Sequence, residues 1–516
     1  MFKKSPKTKQ FDMFNSPSGL LCEREGRLYD DQNAWHNTFY REVTSNIDEE
    51  IFKPLYTTTH ETNCVGRPNV SIRILVAMMI LKEGVGCSDE QLYEQCRFNQ
   101  LYRRALGMVN LDEQCPTIDS YYGLRRRICK HEEETGVNLF DKCFKQITKS
   151  QAREYRISGK AIRMDSKLIS SNIAWYSRYE IIHETFVKSV TKEELERIAD
   201  QLVRQQALEF FAEDAKKTVY RTDSETMGKR LLDLGIVIDY VLTHSIAKNK
   251  SLLERVFSEQ YEKSDNGVVS VRDKRKISAK SVQNPNDPDA EYRGKHKQKV
   301  KGFSTNITET LPEKDKPSLI TDVKVKGATA ADNDFFEDAV TATREVTGDD
   351  VKTAYVDGAY QSQSNRDFGK DEEMNIVAGG LQGKPSRFDL NMTDAQTLEV
   401  TDKTTGEVKT AIPVKPDKWK IDLVDANGKK AYRYFSKEQV DRVEVRRKVD
   451  AIPFDERKKR NNVEAAMFQY SFHTRNNKTR YRTLIKHSLQ AIARCAWINM
   501  RRIFWFDCKL SLQMAK

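Results

Sequence analysis

The stretch 352-KTAYVDGAYQS-362 decides the fold of this 516-residue chain. Ala354 and Val356 alternate with other residues at the two-residue period of a short β-strand. Asp357 ends the predicted strand, and Gly358 permits the sharp exit that follows it. Strand ends in α/β sheets border the crevice in which chemistry takes place, so Asp357 is a candidate site residue. The alternative is that the Asp-Gly pair only makes a turn.

Two further carboxylates occupy comparable positions. Asp165 follows the strand-like run AIRM in 161-AIRMDSKLIS-170, and Glu464 lies in 457-RKKRNNVEAAMFQYS-471, which is predicted to begin a helix. Arg460 precedes Glu464 by four residues, so both side chains are expected on one helical face. Three separated carboxylates are what a two-metal phosphoryl-transfer site requires, because acidic oxygens hold two Mg²⁺ ions about 4 Å apart.

The composition indicates a polyanionic partner. The chain is 32% charged with a net charge of +11, which favours nucleic acid over an acidic or membrane partner. No apolar run approaches the roughly 20 residues of a membrane span, and no apolar signal core follows the basic start. The nine cysteines include no CxxC pair, and with the dispersed histidines they argue for reduced thiols and against a zinc site. A cytoplasmic protein is therefore expected.

The sequence of residues 1–150 indicates an arm followed by a helical domain. Residues 1–65 are predicted to form an N-terminal arm and residues 66–150 a helical DNA-binding domain. In this domain, 117-TIDSYYGLRRRICKHEEE-134 predicts a helix that follows a turn, an arrangement consistent with a helix-turn-helix on DNA. A solvated basic face is the alternative. The basic side chains on this helix are Arg125, Arg126, Arg127 and Lys130.

The rest of the chain predicts an α/β core with two insertions. Strand and helix patterns alternate over residues 155–380, around a helical insert at about 185–262, and indicate a mixed sheet flanked by helices. Residues 381–450 predict a β-rich insertion that includes a hairpin with an Ala-Asn-Gly turn. Residues 451–516 complete the core with the helix of Glu464. The further basic residues expected to contact DNA are Arg446, Arg447 and Arg475.

Taken together, these motifs resemble a DDE transposase of a bacterial insertion sequence with an InsH-like N-terminal domain. The catalytic match consists of RMDSKLISSN at 163–172, YVDGAY at 355–360 and RNNVE at 460–464. The resemblance extends over about residues 65–505. It implies a ribonuclease H-like mixed sheet flanked by helices, with the helical N-terminal domain, the helical insert and the β-rich insertion.

The sequence departs from the family pattern at two positions. Relatives carry a tyrosine where this chain has Arg457 and a lysine where it has Ser471. Arg475 lies four residues after Ser471 and is expected on the same helical face, so it is a candidate replacement for the lysine.

The resemblance implies a metal-dependent enzyme that acts on DNA. Asp165, Asp357 and Glu464 would hold two Mg²⁺ ions, with Mn²⁺ able to substitute, and Arg460 would neutralise a phosphate oxygen or orient Glu464. The implied partners are double-stranded DNA, as terminal inverted repeats and as target, and a second copy of the chain on the DNA ends. The implied location is the nucleoid, with no membrane contact. A ribonuclease H-like nuclease without strand transfer and a catalytically inactive DNA-binding regulator remain as alternatives.

Overall fold

The computed structural model combines helices with a mixed sheet and a separate antiparallel sheet. It describes residues 2–6, 12, 15–56, 68–247, 250–295, 298–381, 383–394, 397–424 and 430–514. None of the helices in these ranges has both the length and the apolar character needed to cross a bilayer. The cysteines in the same ranges are free thiols, as the sequence predicts.

Helices form between Ile72 and Glu154, as the sequence predicts for residues 66–150, and also between Pro17 and Glu42 in the predicted N-terminal arm. The helix ends follow from local sequence. Ser71 accepts the backbone N–H of Ile74 at the start of one helix, which ends at the left-handed Gly86. Ser88 and Gln91 form a capping box that opens the next helix. The helices are α1 (Pro17–Leu20), α2 (Glu23–Asp30), α3 (Trp35–Glu42), α4 (Ile72–Val85), α5 (Asp89–Phe98), α6 (Gln100–Ala105), α7 (Ile118–Thr135) and α8 (Leu139–Glu154).

The central elements follow in the predicted order of strand, helical insert, strands, helix and strand. They are β1 (Ala161–Ser170), α9 (Arg178–Ser189), α10 (Lys192–Glu196), α11 (Gln201–Ala212), α12 (Ala215–Arg221), α13 (Ser224–Thr243), α14 (Lys250–Gln260), β2 (Tyr261–Lys263), β3 (Val269–Val271), β4 (Glu291–Lys295), β5 (Gln298–Thr310), β6 (Ile320–Gly327), α15 (Phe336–Thr347), β7 (Thr353–Val356), α16 (Gln363–Asp371) and β8 (Asn375–Ala378).

The main sheet is mixed, as the sequence predicts. Its strands run in the order β4-β5-β1-β7-β8, and β6 pairs with the later part of β5. The pairs of β5 with β1, β4 and β6 are antiparallel. β7 is parallel to both β1 and β8. β1 therefore lies between an antiparallel half and a parallel half of the sheet.

The predicted β-rich insertion forms a second sheet, and helices follow it. The strands are β9 (Phe388–Met392), β10 (Leu398–Asp402), β11 (Val408–Lys415), β12 (Lys418–Val424) and β13 (Lys430–Ser436), each antiparallel to the next. The predicted Ala-Asn-Gly turn lies outside the described residues. The final helices are α17 (Lys437–Asp450), α18 (Phe454–Lys458), α19 (Val463–Ser471) and α20 (Leu484–Met514).

One hydrophobic core joins the N-terminal helices to the central sheet. Phe39 of α3 and Phe52, both from the predicted N-terminal arm, are fully buried in it together with α4. Residues of β6, α19 and α20 belong to the same core. Gly84 lies where α4 meets α20, and a Cβ atom at this position would be 2.1 Å from the ring of Trp497. That ring also packs against Trp35 and Phe39, which limits its freedom to move.

We expect Gly84→Ala to destabilise the protein by about 1–3 kcal/mol, because the added methyl group overpacks the contact with Trp497. Gly123→Ala is the matched control. Gly123 lies within α7 and has no atom within 4 Å of the position of an added Cβ. This second change should raise stability by up to about 1 kcal/mol through helix propensity. Urea unfolding of both variants measures the difference, and equal effects at the two positions would contradict the packing argument.

Candidate functional site

Two of the predicted carboxylates lie on adjacent parallel strands. Asp165 is in the middle of β1 and not at its end, because β1 stays paired with β5 as far as Ser170. The strand-like run AIRM is therefore only the first part of β1. β7 pairs with β1 and ends at Val356, so Asp357 follows the strand directly, as predicted. Both aspartates accept the backbone N–H of the next residue, at 2.9 Å in Asp165 and 2.8 Å in Asp357.

The guanidinium of Arg460 joins the two carboxylates. Its Nη2 atom donates to Asp165 Oδ2 at 2.9 Å, and its Nη1 atom lies 3.9 Å from Asp357 Oδ1. The side chains of Asp165 and Arg460 are mostly buried, whereas that of Asp357 is 32% exposed. Two carboxylates and one guanidinium cation thus form a compact charged centre at the end of β7. The centre is open to solvent on the side of Asp357.

Burial controls the protonation of Asp165. Loss of solvation raises the pKa of this carboxyl above its ordinary value, and the nearby Asp357 and Asp332 carboxylates raise it further. The positive charge of Arg460 and the N–H of Ser166 oppose this shift. Arg460 is therefore the largest influence that favours the ionised form of this carboxyl.

Close backbone packing holds the loop after β7. A Cβ atom on Gly358 would lie 2.1 Å from the carbonyl oxygen of Gly380, so only glycine fits at this position. The neighbouring Gly379 donates its N–H to the carbonyl of Val356 at 3.0 Å. A Cβ on Gly379 would come within 3.6 Å of Arg460 Cδ. That distance is an ordinary van der Waals contact, so the tight fit in this loop is at Gly358.

Glu464 does not join this centre. It lies in the first turn of α19, is exposed, and its side chain has no hydrogen bond or ion pair with the described part of the chain. The expectation that Arg460 and Glu464 share a helical face is wrong, because α19 begins at Val463 and Arg460 lies in the preceding turn. Within the described ranges, no group of three or more acidic, histidine or cysteine side chains is arranged to hold a metal ion.

One face of β1 contacts the segment that carries Arg460 and α19. Because side chains two apart on a strand share a face, Arg163, Asp165 and Lys167 point the same way. Arg163 donates to the carbonyl of Lys459 at 3.3 Å, Asp165 binds Arg460, and the ammonium of Lys167 donates to Ser471 Oγ at 2.7 Å. Burial lowers the pKa of Lys167.

Lys167 therefore contacts the residue at which relatives carry a lysine. The sequence-based expectation that Arg475 and Ser471 share a helical face is wrong. α19 ends at Ser471, and Arg475 lies exposed in the turns that follow. Lys167 belongs to the first motif, but sequence reasoning assigned it no role. Its position two residues after Asp165 is the signal that could have identified it.

Asp332 is a second residue that the sequence analysis missed. It lies in the short turn before α15, and its carboxylate accepts a hydrogen bond from the hydroxyl of Ser166. Its charge acts on both Asp165 and the buried Tyr360. No local pattern distinguishes Asp332 from other polar turn residues, so only the tertiary structure connects it with the site.

The basic side chains of α7 point in several directions. Arg125 faces inward, where it lies 3.3 Å from Asp89 and over the ring of Tyr122. Arg127 is over the ring of Tyr56. Arg126, Arg127 and Lys130 are all exposed, and Lys130 also lies 3.5 Å from Glu134. The predicted cluster is thus divided, because consecutive helical residues are about 100° apart.

Arg446 and Arg447 hold α17 in place. Arg446 donates to the carbonyls of Leu381 and Gly383, which precede the β-rich insertion. Arg447 lies 2.9 Å from Asp389 and also donates to the carbonyl of Leu390. Both guanidinium groups therefore have protein partners.

Comparison with known families supports a transposase family. Residues 27–127, about a fifth of the chain, match the family model Transposase domain (DUF772). The matched segment runs from the end of α2 to the middle of α7 and includes Arg125, Arg126 and Arg127. No match was found among curated proteins or among solved structures.

We expect Arg460→Gln to destabilise the protein by about 1–3 kcal/mol near pH 8, because it leaves the buried Asp165 carboxylate without its cation. The pKa of Asp165 is already raised in the folded state, and the substitution raises it further. A raised folded pKa means that stability is highest when the carboxyl is protonated and falls as the pH rises. The loss of stability in Arg460→Gln relative to the wild type should therefore be small near about pH 4.

Unfolding curves at both pH values measure this deficit. Lys458→Gln is the control, because it removes an exposed cation two residues away and should change stability little at either pH. The double variant Arg460→Gln/Asp165→Asn should recover most of the loss near pH 8. An Arg460→Gln deficit of the same size at both pH values would contradict the charge pairing.

Proposed function

We propose that the protein is a DNA transposase that cleaves phosphodiester bonds at the terminal inverted repeats of an insertion sequence and transfers the resulting strands. The convergence of Asp165 and Asp357 on Arg460 carries the proposal. The transposase-domain match at residues 27–127 supports it independently. The order of the main sheet, with β1 between antiparallel and parallel neighbours, supports a ribonuclease H-like core.

Asp165 and Asp357 fit a divalent cation. Their carboxylates already share one positive group, and carboxylate oxygens are the ligands that Mg²⁺ prefers. Glu464 is the proposed third carboxylate, although the structure leaves it apart from the other two. When bound, a pair of Mg²⁺ or Mn²⁺ ions supplies activation of the attacking oxygen and charge stabilisation of the leaving oxygen.

The residues of the chain position the phosphate. Arg460 Nε is buried and has no hydrogen-bond partner within the described ranges, so it is available to donate to a phosphate oxygen. The proposed first reaction is attack by water on phosphorus, which breaks the P–O3′ bond and leaves a free 3′-hydroxyl. In the second reaction this hydroxyl attacks a phosphorus atom of the target DNA, which forms a new P–O bond, breaks the P–O3′ bond of the target strand and releases its 3′-hydroxyl. Neither step forms a covalent bond between protein and DNA.

Recognition of the DNA ends requires a second surface, because carboxylate chemistry acts on phosphodiesters and does not read bases. The proposed surface is an open concavity of about 640 Å³ between α7 and the start of α20. Its exposed cations are Arg126, Lys130 and Lys486. Tyr122, the paired Arg125 and the carboxylates of Asp119 and Glu133 also line it. The proposed assembly on two DNA ends is a homodimer.

The position of Glu464 favours a second candidate function. A DNA-binding regulator without cleavage activity would keep the basic surfaces and would not need three converging acids. The exposed Glu464 is the observation behind this alternative. A cleavage assay distinguishes the two functions.

The wild-type protein should nick or cleave supercoiled plasmid carrying the terminal repeats in the presence of Mg²⁺ or Mn²⁺. Asp165→Asn and Asp357→Asn should each abolish this cleavage and leave DNA binding nearly unchanged, because each removes one anionic ligand. Glu464→Gln should do the same if Glu464 is the third carboxylate. Ca²⁺ should inhibit the cleavage, because it prefers a higher coordination number and a looser geometry than Mg²⁺.

Asp455→Asn is the control, since Asp455 is an exposed acid just before the Arg460 turn. It should cleave like the wild type. Full cleavage in EDTA would exclude the metal mechanism. DNA binding without cleavage by the wild-type protein would favour the regulator.

Arg126→Gln/Lys130→Gln should weaken binding to repeat DNA and reduce the salt dependence. The slope of log K against log salt should fall by about 0.9 for each phosphate that the variant no longer neutralises. Arg127→Gln is the matched control, because Arg127 is an exposed cation of the same helix that lies over Tyr56 and does not line the concavity. It should leave the salt slope nearly unchanged. Titrations at several salt concentrations test this, and a double variant with the wild-type slope would exclude the α7 face as a phosphate contact.

A further inference from the structure

A groove lies between the loop after β7 and the β-rich insertion. It is a cavity of about 550 Å³, and Gly358 and Ala359, the residues that follow Asp357, form part of its wall. Phe388, Leu390 and Phe435 provide an apolar floor from β9 and β13. The groove therefore adjoins the proposed catalytic centre through the residues that follow Asp357, and its lining includes none of Asp165, Asp357 and Arg460.

The charges that line this groove have one sign. Its wall carries cationic side chains and no carboxylate. The cations are Arg366, Lys384, Arg433, Arg442 and Arg446. The cavity on the opposite side of α17 provides a comparison within the same molecule, because it contains Asp441, Glu444 and Glu456 among its basic residues. Uniform positive charge is thus a property of this groove and not of the whole region.

Several of these cations lack strong partners in the protein. The exposed side chains of Lys384 and Arg433 have no hydrogen bond or ion pair with any described residue. Arg442 is 79% exposed and lies 3.9 Å from an equally exposed Glu438. Like charges that converge in a concavity repel one another, and a bound anion relieves that repulsion.

We propose that this groove binds one unpaired DNA strand beside the reacting phosphodiester. This inference rests on the proposed function and extends it to a specific surface. A volume of about 550 Å³ is suited to a ligand the size of one or two nucleotides and is too small for a duplex. A cationic rim over an apolar floor is the combination with which proteins hold single strands, through phosphates and through the faces of bases.

The groove has few means of reading base identity. Its lining offers cations and apolar side chains, with Gln361, Gln439 and Ser386 as the neutral polar side chains. Binding there is expected to depend on the phosphates and to tolerate different bases. In this proposal, the surface between α7 and α20 recognises the base sequence of the DNA ends.

The test measures strand binding in EDTA, so it does not depend on cleavage. The probe is a fluorescent thymidine oligonucleotide of about 12 nucleotides, a length within the range of known single-strand grooves. The variant of the full-length protein is Lys384→Gln/Arg433→Gln/Arg442→Gln. We expect its affinity to fall roughly tenfold or more and its salt slope to fall by about 2, at about 0.7 for each phosphate that is no longer bound.

The matched control removes three exposed cations of the same insertion that do not line the groove. It is Lys403→Gln/Lys415→Gln/Lys418→Gln, and it should bind the strand within about twofold of the wild type. An equal loss in both triple variants would overturn the proposal in favour of diffuse charge. Wild-type binding by the groove variant would also overturn it.

A crosslinking experiment locates the bound strand. The same oligonucleotide carrying bromodeoxyuridine should crosslink to peptides from residues 384–390 or 433–446, and crosslinks confined to α7 would overturn the proposal. The experiments distinguish failure of the groove proposal from failure of the proposed transposase function. If the wild type binds the strand through the groove but cleaves no DNA, only the transposase function fails. If it cleaves DNA and the groove variant binds normally, only the groove fails.

Discussion

The ion pair between Asp165 and Arg460 is the interaction on which the candidate site depends. It joins residues 295 apart in the sequence, one in the middle of β1 and the other in a turn without regular structure. Without the guanidinium, a largely buried carboxylate would lose its main source of stabilisation, since burial and two neighbouring acids already raise its pKa. The carbonyl of Arg460 accepts the N–H of Val463, the first residue of α19, at 2.9 Å. The C-terminal segment is thus held to the sheet by the same charges that form the centre.

A buried network of salt bridges lies beside this ion pair. Arg163 pairs across the strands with the fully buried Glu309, and Arg502 of α20 lies against the other oxygen of Glu309. Arg163 also holds the carbonyl of Lys459, directly before Arg460. Buried charges are costly unless they are paired, so this arrangement specifies one geometry for the turn. The last helix therefore contributes to the position of the site although it supplies none of its acids.

Local patterns predicted much of the fold, and tertiary contacts determined most of the site. The alternation around Ala354 and the β-rich insertion were evident from short-range sequence and are confirmed. The shared helical face of Arg460 and Glu464 was wrong because helix periodicity applies only inside a helix, and α19 starts between them. The contacts of Lys167 and Asp332 join distant segments, so no single window of sequence contains them.

The distribution of positive charge is the least predictable property of the chain. A net charge of +11 indicates a polyanionic partner but does not say which arginines are available to it. Arg125 and Arg447 looked equivalent to their neighbours, yet each is held by an aspartate. Arg126 and Arg433 face solvent. Since a guanidinium already paired inside the protein gains little from a phosphate, the internal partner of each cation decides its role more than its position in a basic run.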